Sequence, residues 1–163
     1  MSYKIFENVL TEEQEEKLLK IIDEQPWDKT LSRWTQQYMH EYTYNSKKVV
    51  TIDGEVPKFI TDLRDVFYPD ANQFLVNRYL PGEGIACHQD SPLFEDKVMS
   101  LSLGSDVMFK IENGERYLKR RSLLVMYKRI FHGIDKRKSD MVDGKKIERE
   151  TRLSVTFRKV KRR

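Results

Sequence analysis

The sequence predicts an α+β domain in which N-terminal helices pack on one face of an antiparallel β-sandwich or β-barrel. Two observations favour this fold class. Apolar residues recur at helical spacing in two segments before residue 68. After residue 70 the pattern changes to strands, and short strand-like segments follow one another with turn residues between them. Helices first and many short strands afterwards are typical of helices placed against one face of a sheet.

Each helix is marked by its first residues. Thr11 and Gln14 have the spacing of a capping box, which predicts a helix from there to about Glu24. Pro57 suits the first turn of a second helix, which we expect to reach Phe67. The apolar stripes of the two helices comprise Leu18, Leu19 and Ile22 in the first and Phe59, Ile60, Leu63 and Phe67 in the second.

Strands are predicted throughout the second half of the chain. They cover residues 74–80, 98–103, 107–111, 116–118, 122–127 and 153–160. Gly104-Ser105 and Asn113-Gly114 are typical of tight turns and predict two hairpins. The aromatic-rich segment 34–44 is also expected to be extended.

Length and composition exclude several classes of protein. The 163 residues suffice for one domain with a hydrophobic core, and the apolar content is ordinary for a globular chain. No run approaches the roughly 20 apolar residues of a membrane span, and Lys4 and Glu7 interrupt the apolar start, so no signal peptide is predicted. The lone Cys87 excludes an internal disulfide framework and suits a reducing compartment. We therefore expect a monomeric intracellular protein of the cytoplasm or nucleus, with no membrane association.

Charge is distributed unevenly along the chain. Residues 1–118 contain 13 Lys/Arg and 21 Asp/Glu, a balance of −8, whereas residues 119–163 contain 17 and 5, a balance of +12. The basic clusters are Lys119-Arg120-Arg121, Lys136-Arg137-Lys138, Lys145-Lys146 and Lys161-Arg162-Arg163. Together they could form one positive face that attracts the phosphates of nucleic acid, or they could be a solvated surface without a partner.

Two predicted strands carry polar side chains at alternate positions. The polar face of the last strand comprises Arg152, Ser154, Thr156 and Arg158. Asn77 and Tyr79 share a face of an earlier strand in the same way. Either these are solvent faces of half-buried strands, or they point into a barrel and converge on an anionic ligand. In the second case the two arginines could bind carboxylates bidentately.

A candidate metal site combines residues from two segments. His88 and Asp90 lie two residues apart, so both side chains of an extended segment reach the same side. His132, followed by Gly133, supplies a third ligand in this hypothesis. Two histidines and one carboxylate leave three coordination positions open, which is the arrangement of non-haem Fe(II) oxygenases, although zinc also accepts this ligand set.

The order of these motifs along the chain resembles the AlkB family of nucleic-acid dioxygenases. The resemblance extends over residues 33–160 and is carried by NQFLVNRYLPGEGIACHQD, SLSLGS, RRSLLVM, HGI and RLSVTFRKV. It implies a double-stranded β-helix, or jelly roll, at about residues 71–160, with a lid at about residues 30–55. It also implies a single dioxygenase domain over residues 1–163.

The resemblance assigns roles to individual residues. The Fe(II) ligands would be His88, Asp90 and His132. The residues around 2-oxoglutarate would be Asn77, Tyr79, Arg152, Ser154, Thr156 and Arg158. Within this set Arg152, helped by Tyr79 and Ser154, would pair with the distal carboxylate. Arg158 and Asn77 would meet the other end of the cosubstrate, where its keto acid chelates the metal.

The resemblance also implies the reaction. Family members use O₂ and 2-oxoglutarate to oxidise a C–H bond and release succinate and CO₂. The implied substrate is a single-stranded or flipped base in DNA or RNA, whose N-methyl group would leave as formaldehyde in DNA repair or RNA modification. The lid residues that would contact this base are Trp34, Gln36, Tyr38 and Tyr42, unless these aromatics belong to the helix–sheet core. Met39 stands where many members have glycine.

Three other functions remain open at this point. Segments 94–96 and 100–105 look closer to the branch that acts on the wobble uridine of transfer RNA, which predicts hydroxylation of a modified uridine. An oxygenase acting on a protein side chain is the second alternative. A non-catalytic binding module is the third, and it is disfavoured because binding alone needs neither the metal ligands nor the two arginines.

Overall fold

The structure, a computed structural model, describes residues 1–44, 46–52 and 54–162. The helices are α1 (Glu12–Asp23) and α2 (Lys58–Phe67). The strands are β1 (Tyr3–Phe6), β2 (Trp34–Tyr38), β3 (His40–Thr43), β4 (Lys48–Thr51), β5 (Gln73–Tyr79), β6 (Ile85–His88), β7 (Val98–Leu103), β8 (Val107–Ile111), β9 (Gly114–Leu118), β10 (Leu123–Met126), β11 (His132–Ile134), β12 (Ser139–Val142), β13 (Lys145–Glu148) and β14 (Arg152–Arg158). Asn45 and Asp53 of the predicted lid and Arg163 of the predicted basic tail lie outside the described residues.

The strands form two main antiparallel sheets. The six-stranded sheet has the order β1-β10-β7-β14-β5-β2, and the four-stranded sheet has the order β6-β11-β8-β9. Apolar side chains of both sheets pack together in one cluster, which includes Tyr79, Val98, Leu124 and Met126 from the first sheet and Phe109, Leu118 and Ile134 from the second. This two-layer arrangement is the predicted double-stranded β-helix.

The opposite face of the six-stranded sheet is covered by the two helices, as the sequence predicts. Phe59, Ile60 and Leu63 of α2 and Ile22 of α1 are buried against the apolar face of β14, whereas Phe67, Leu18 and Leu19 are partly buried against the same cluster. Burying one large aliphatic or aromatic side chain stabilises a fold by roughly 1.5–3 kcal/mol. Among the described residues neither helix is long and apolar enough to cross a membrane.

The predicted capping box is present at the start of α1. The Gln14 N–H donates to Thr11 Oγ1 at 3.1 Å, and the Thr11 N–H donates to Gln14 Oε1 at 2.8 Å. Pro57 immediately precedes α2 and makes no side-chain cap. Both helix starts therefore follow from local sequence signals.

The aromatic-rich segment 34–44 is extended, as predicted, but a turn divides it into β2 and β3. Met39 separates them with a φ of 68°, in the left-handed region. Glycine occupies this region freely, whereas other residues pay roughly 1–2 kcal/mol. The glycine that the family resemblance implies at this position would fit the turn without this cost.

One of the two predicted hairpins is wrong. At Gly104 the chain leaves β7 in the six-stranded sheet and enters β8 in the other sheet, so the two strands do not pair. Gly104 has a φ of 85°, and a Cβ there would lie 2.5 Å from the Thr151 carbonyl oxygen. The second hairpin, β8–β9, is present, but its residues with positive φ are Glu112 and Asn113, one position earlier than predicted.

A buried carboxylate ties α1 to this crossing between the sheets. Glu15 is 2% exposed. Its oxygens accept hydrogen bonds from Arg120 Nε and Arg121 Nη1, each at 3.0 Å, and from the Gly104 N–H at 2.9 Å. Two members of a predicted basic cluster therefore serve the fold rather than a free positive surface.

We predict that Glu15→Gln destabilises the fold by about 1–3 kcal/mol, because the donors of this network lose a charged acceptor. Burial raises the pKa of Glu15, but the hydrogen bonds from Arg120, Gly104 and Arg121 lower it by a larger amount. The pKa therefore lies below its ordinary value. A carboxylate with a lowered pKa stabilises the folded state above its ordinary pKa, and this contribution is lost as the pH falls through the lowered value.

The difference in unfolding free energy between wild type and Glu15→Gln should therefore be constant near neutral pH and shrink below about pH 4.5. Urea unfolding over a pH series measures it. Glu13→Gln is the control, because Glu13 pairs only with exposed Lys17 and should cost less than about 0.5 kcal/mol. A difference that stays unchanged down to pH 3 would contradict this role of the carboxylate.

Candidate metal centre and cavity

Three side chains with metal-binding atoms meet where β6 and β11 pair. His132 lies opposite His88 in the register of these strands, and Asp90 follows two residues after His88. Asp90 Oδ1 lies 3.2 Å from His132 Nε2 and 3.7 Å from His88 Nε2. One ligand atom from each residue lies within 4.8 Å of the others. The predicted set of two histidines and one carboxylate is therefore brought together in space.

Backbone contacts orient both imidazoles. His88 Nδ1 lies 2.8 Å from the Ala86 carbonyl oxygen, and His132 Nδ1 lies 2.9 Å from the Ile130 carbonyl oxygen. When Nδ1 donates to a carbonyl, Nε2 carries the lone pair and can bind a metal. Both Nε2 atoms point toward Asp90, so the two rings present the atoms that a metal would need.

Gly133 allows β6 and β11 to approach closely enough for this arrangement. A Cβ on Gly133 would lie 2.7 Å from the Ile85 carbonyl oxygen and 2.8 Å from the Cys87 nitrogen. Such distances are too short for any side chain, so the residue after His132 must be glycine for the two histidines to stay in register.

The electrostatics of the group suit a cation. Burial raises the pKa of Asp90, but its hydrogen bond with His132 and the charge of Arg158 lower it further, and the net shift is downward. Burial lowers the pKa of His88, which favours the neutral imidazole. Burial also lowers the pKa of His132, but its hydrogen bond with Asp90 and the charge of Asp90 raise it by more, and the net shift is upward. Ionised carboxylate and neutral imidazole are the forms that bind metal, so a bound ion would displace a proton from His132.

A cavity of about 400 Å³ opens beside these three residues. Its polar lining from β5 and β14 comprises Asn77, Tyr79, Arg152, Ser154, Thr156 and Arg158. These are the alternate positions that the sequence pattern places on one face of each strand. They point into the space between the sheets rather than into solvent, and the volume suits a small-molecule ligand.

Arg152 is a buried cation without a carboxylate partner among the described residues. Its side chain is 4% exposed, and burial lowers its pKa to about 10. Nη2 donates to Ser102 Oγ at 2.9 Å, while the buried Nε has no hydrogen-bond partner. Because a buried charge is costly unless it is paired, this guanidinium fits an anionic ligand such as a carboxylate.

Arg158 lies at the metal end of the same strand. Its Nη1 is 3.4 Å from Asp90 Oδ2, and its Nε donates to Gln73 Oε1 at 2.8 Å. The third nitrogen, Nη2, is buried without a partner. The strand thus presents one guanidinium beside the metal-binding group and another six residues away, which fits a ligand with two carboxylates.

The predicted base-contacting residues do not all reach the cavity. Tyr42 on β3 lines it. Tyr38 packs against Phe59 in the helix–sheet core, and its hydroxyl donates to Gln36. Trp34 pairs in register with Arg78, and the guanidinium carbon of that arginine lies 3.6 Å from the ring centroid. These three β2 side chains lie on the helix side of the edge strand, where they support the fold.

Other cavity residues were not predicted. Arg33 and Tyr44 line the cavity, and Arg33 Nε donates to Asn77 Oδ1 at 2.9 Å. Gln73 lies behind the cavity against Arg158. Extending the β5 alternation back by two residues would have placed Gln73 on the face of Asn77. For Arg33 and Tyr44, which stand in turns beside strands, no periodic signal exists.

The predicted basic clusters are unequal in the structure. Besides Arg120 and Arg121, which pair with Glu15, Arg137 lies 3.8 Å from Asp135 and 3.5 Å from the buried Asp140. The exposed basic residues without an ion pair among the described residues include Lys136, Lys138, Lys145, Lys161 and Arg162. The free positive surface is therefore smaller than the count of charges indicates.

Known proteins share this sequence pattern. The family model of the 2OG-Fe(II) oxygenase superfamily matches residues 12–158. An uncharacterised protein of Acanthamoeba polyphaga mimivirus is 33% identical over 97% of this chain and 84% of its own length. The Xenopus tropicalis tRNA (carboxymethyluridine(34)-5-O)-methyltransferase alkbh8 is 33% identical over 96% of this chain, which spans 31% of that protein. The probable RNA/DNA demethylase ALKBH6 of Danio rerio is 31% identical over 55% of this chain and 53% of its own length.

A solved structure shares the fold. The structure of OsALKBH1 superimposes with a TM-score of 0.73, covering 97% of this chain and 96% of that chain. The two chains are 17% identical, so this likeness concerns the fold alone.

We predict that His132→Ala abolishes binding of Fe(II) or Mn(II) and leaves the fold intact, because an open octahedral site needs all three protein ligands. Metal titration under anaerobic conditions, with thermal unfolding alongside, measures both effects. The control is His40→Ala, since the His40 ring bonds to the Asn72 carbonyl and takes no part in the group. A native four-coordinate zinc whose removal unfolds the domain would contradict this role.

We predict that Arg152→Leu weakens 2-oxoglutarate binding by roughly two to three decades, about 3–5 kcal/mol, because a buried carboxylate would lose its partner. Calorimetric titration of the anaerobic Mn(II)-loaded protein measures this affinity. Arg78→Leu is the control, since Arg78 lies on the other face of the sheet against Trp34 and should affect stability instead. Equal affinities of wild type and Arg152→Leu would place the cosubstrate elsewhere.

Proposed function

Because this chain belongs to the 2OG-Fe(II) oxygenase superfamily, within its AlkB-like branch, we propose that it oxidises alkyl groups on nucleobases of DNA or RNA. Membership makes it an enzyme that uses Fe(II), 2-oxoglutarate and O₂. Oxidative demethylation of an alkylated base is the leading reaction. The observation that carries this proposal is the part of the cavity lining formed by Arg33, Tyr42 and Tyr44, where Arg33 has no carboxylate partner among the described residues.

We propose that His88, Asp90 and His132 hold the iron. Arg152, with the neighbouring Tyr79 hydroxyl, binds the distal carboxylate of 2-oxoglutarate. The remaining cosubstrate contacts in this proposal come from Asn77, Ser154, Thr156 and Arg158. The support for these roles is the buried unpaired cation on β14 together with the three metal-binding atoms at the other end of the cavity.

Bound iron and 2-oxoglutarate supply an oxidant for one C–H bond, and O₂ is consumed as 2-oxoglutarate becomes succinate and CO₂. One oxygen atom enters succinate and the other enters the substrate. With an N-methyl group as substrate, the product is an N-hydroxymethyl base, which breaks its C–N bond to give formaldehyde and the N–H base. In this proposal the residues of the chain hold the reactants in the space between the sheets.

The part of the cavity lined by Arg33, Tyr42 and Tyr44 suits a nucleotide. The Arg33 guanidinium lies 5.6 Å from the Tyr44 ring centroid, and the Tyr44 ring meets the Tyr42 ring edge-on at 5.1 Å. Among the described residues no carboxylate pairs with Arg33. A base can stack on an aromatic face at roughly 1–3 kcal/mol while a guanidinium contacts its phosphate. A single-stranded or bulged substrate fits best, because it avoids the unstacking cost of a few kcal/mol.

A second candidate reaction is hydroxylation of a substituent on a transfer-RNA uridine. Its support is the alkbh8 relative, whose name describes a methyltransferase acting on a carboxymethyluridine of tRNA. The match covers 96% of this chain and 31% of that protein. Hydroxylation would use the same metal centre and stop before loss of carbon. The two reactions are separated by their products, formaldehyde in one and a stable hydroxylated base in the other.

Incubation of the Fe(II)-loaded enzyme with 2-oxoglutarate, O₂ and a panel of modified single-stranded oligonucleotides and tRNA tests the proposal. Mass spectrometry should show loss of a methyl group, or gain of one oxygen, in at least one nucleobase. Binding should weaken with salt, with a slope of roughly 0.7 per phosphate contact on single strands. Turnover confined to a peptide would contradict the nucleic-acid assignment and favour a protein substrate.

We predict that Tyr42→Ala lowers nucleobase turnover by about tenfold with little change in stability, because one stacking surface worth roughly 1–3 kcal/mol is lost at the cavity. Tyr38→Ala is the matched control. Its ring packs on Phe59 in the core, so its loss should lower the melting temperature and leave the turnover of the folded fraction near wild type. The reverse pattern would mean that the base lies on the β2 side of the lid.

A further inference from the structure

A continuous chain of hydrogen bonds runs from the candidate metal ligand to the lid hairpin β3–β4. Arg158 lies 3.4 Å from Asp90 and donates through Nε to Gln73 Oε1 at 2.8 Å. Gln73 Nε2 donates to Gln37 Oε1 at 3.1 Å. The same Gln37 oxygen accepts the Tyr42 N–H at 2.7 Å, and Gln37 Nε2 donates to the Tyr42 carbonyl at 3.2 Å.

We propose that Gln73 and Gln37 are positioning residues that couple the lid hairpin to Arg158. In this role they hold Tyr42 at the cavity when Asp90 and the bound cosubstrate fix the position of the Arg158 side chain. Cosubstrate binding then orders the surface that receives the substrate. The inference rests on the proposed roles of Asp90, Arg158 and Tyr42, and it adds an order of events to them.

Gln73 is the central residue of this series of hydrogen bonds, between Arg158 and Gln37. It is 0% exposed and lies opposite Arg158 in the register of β5 and β14. Its oxygen accepts from the guanidinium while its nitrogen donates to Gln37, so the amide uses two separate atoms for the two contacts. A buried amide left with one partner costs roughly 1–3 kcal/mol, so Arg158 and Gln37 fix its orientation jointly.

Gln37 replaces a strand partner for the hairpin. Its side chain bonds to both the N–H and the carbonyl of Tyr42, as a neighbouring strand would. Edge strand β2 is thereby hydrogen-bonded to β3 at Tyr42, whose ring lines the cavity. Movement of the Gln37 amide would therefore move or release Tyr42.

A second contact joins the same residues through aromatic rings. The Arg158 guanidinium carbon lies 4.1 Å from the Phe94 ring centroid, and the Tyr42 ring lies 6.0 Å from Phe94. Phe94 is almost wholly buried. The backbone and the ring of Tyr42 are thus both linked to Arg158, whose Nη2 still has an unused donor for an incoming anion.

Hydrogen exchange of residues 40–51 tests the coupling without a substrate. In the anaerobic wild type loaded with Mn(II), addition of 2-oxoglutarate should slow exchange in β3–β4 by about fivefold, the lower range of coupling between sites. Gln73→Met should bind Mn(II) and 2-oxoglutarate within about threefold of wild type and lose this protection. Gln37→Met should behave alike and serves if Gln73→Met does not fold.

Gln36→Met is the matched control. Gln36 precedes Gln37 on β2 and is buried like Gln73, but its amide bonds to the Ile22 carbonyl on the helix side. Its variant should lower stability and keep the effect of 2-oxoglutarate on the hairpin. Protection that persists in both Gln73→Met and Gln37→Met, or that never occurs in the wild type, would overturn the coupling.

Oligonucleotide binding separates this inference from the proposed function. In the wild type, 2-oxoglutarate should tighten binding of a modified single-stranded oligonucleotide about fivefold, and Gln73→Met should remove that gain. Turnover by Gln73→Met should release succinate with about tenfold less base product, at a similar KM for 2-oxoglutarate. Hairpin protection without any oligonucleotide binding would support the coupling and contradict the nucleic-acid substrate.

Discussion

The structure depends on placing two almost wholly buried arginine side chains beside one cavity. Arg152 and Arg158 come from one strand and Arg33 comes from the lid. Among the described residues, Asp90 supplies the one carboxylate that lines the same cavity. A buried guanidinium without an anion costs several kcal/mol after relaxation, so the folded protein carries an electrostatic deficit that a bound dianion would remove. A 2+ ion beside Asp90 and a dicarboxylate between the arginines satisfy both ends of the cavity.

Strand register converts this requirement into geometry. Arg152 pairs with Tyr79, Ser154 with Asn77 and Arg158 with Gln73, so three of the four polar side chains on this face of β14 have a polar neighbour on β5. A slip of one residue would turn the whole row toward the helices and bring apolar side chains into the cavity. The pairing of His132 with His88 sets the metal end in the same way, and Gly133 permits the close approach that it needs.

Much of this could be predicted from the sequence, and the failures have physical reasons. The two-residue alternation around Arg152 and Asn77 grouped the polar residues of each strand on one face, because side chains alternate on any strand. Alternation does not say which face points inward, so the sequence left open whether the aromatic side chains of the lid contact a base or belong to the helix–sheet core. In the structure Trp34, Gln36 and Tyr38 lie on the helix side.

Contacts between distant segments are the other part that local patterns do not contain. Glu15 and Arg120 are 105 residues apart, and no sequence signal indicates that a basic cluster neutralises a buried carboxylate on α1. Arg33 and Asn77 are 44 residues apart and meet because β2 pairs with β5. By contrast, the capping box of α1 involves residues three apart and was predicted in full.

The most direct measurement is a crystal structure of the anaerobic protein with Mn(II) and 2-oxoglutarate. We expect one Mn(II) bound by His88, Asp90 and His132, with the cosubstrate chelating it and its distal carboxylate on the Arg152 guanidinium. Arg158 should keep its contact with Gln73 and use its unpaired nitrogen toward the bound ligand. A metal held by a different set of residues, or a 2-oxoglutarate that leaves Arg152 without an anion, would contradict the central claim that this cavity is built around two buried cations and one metal.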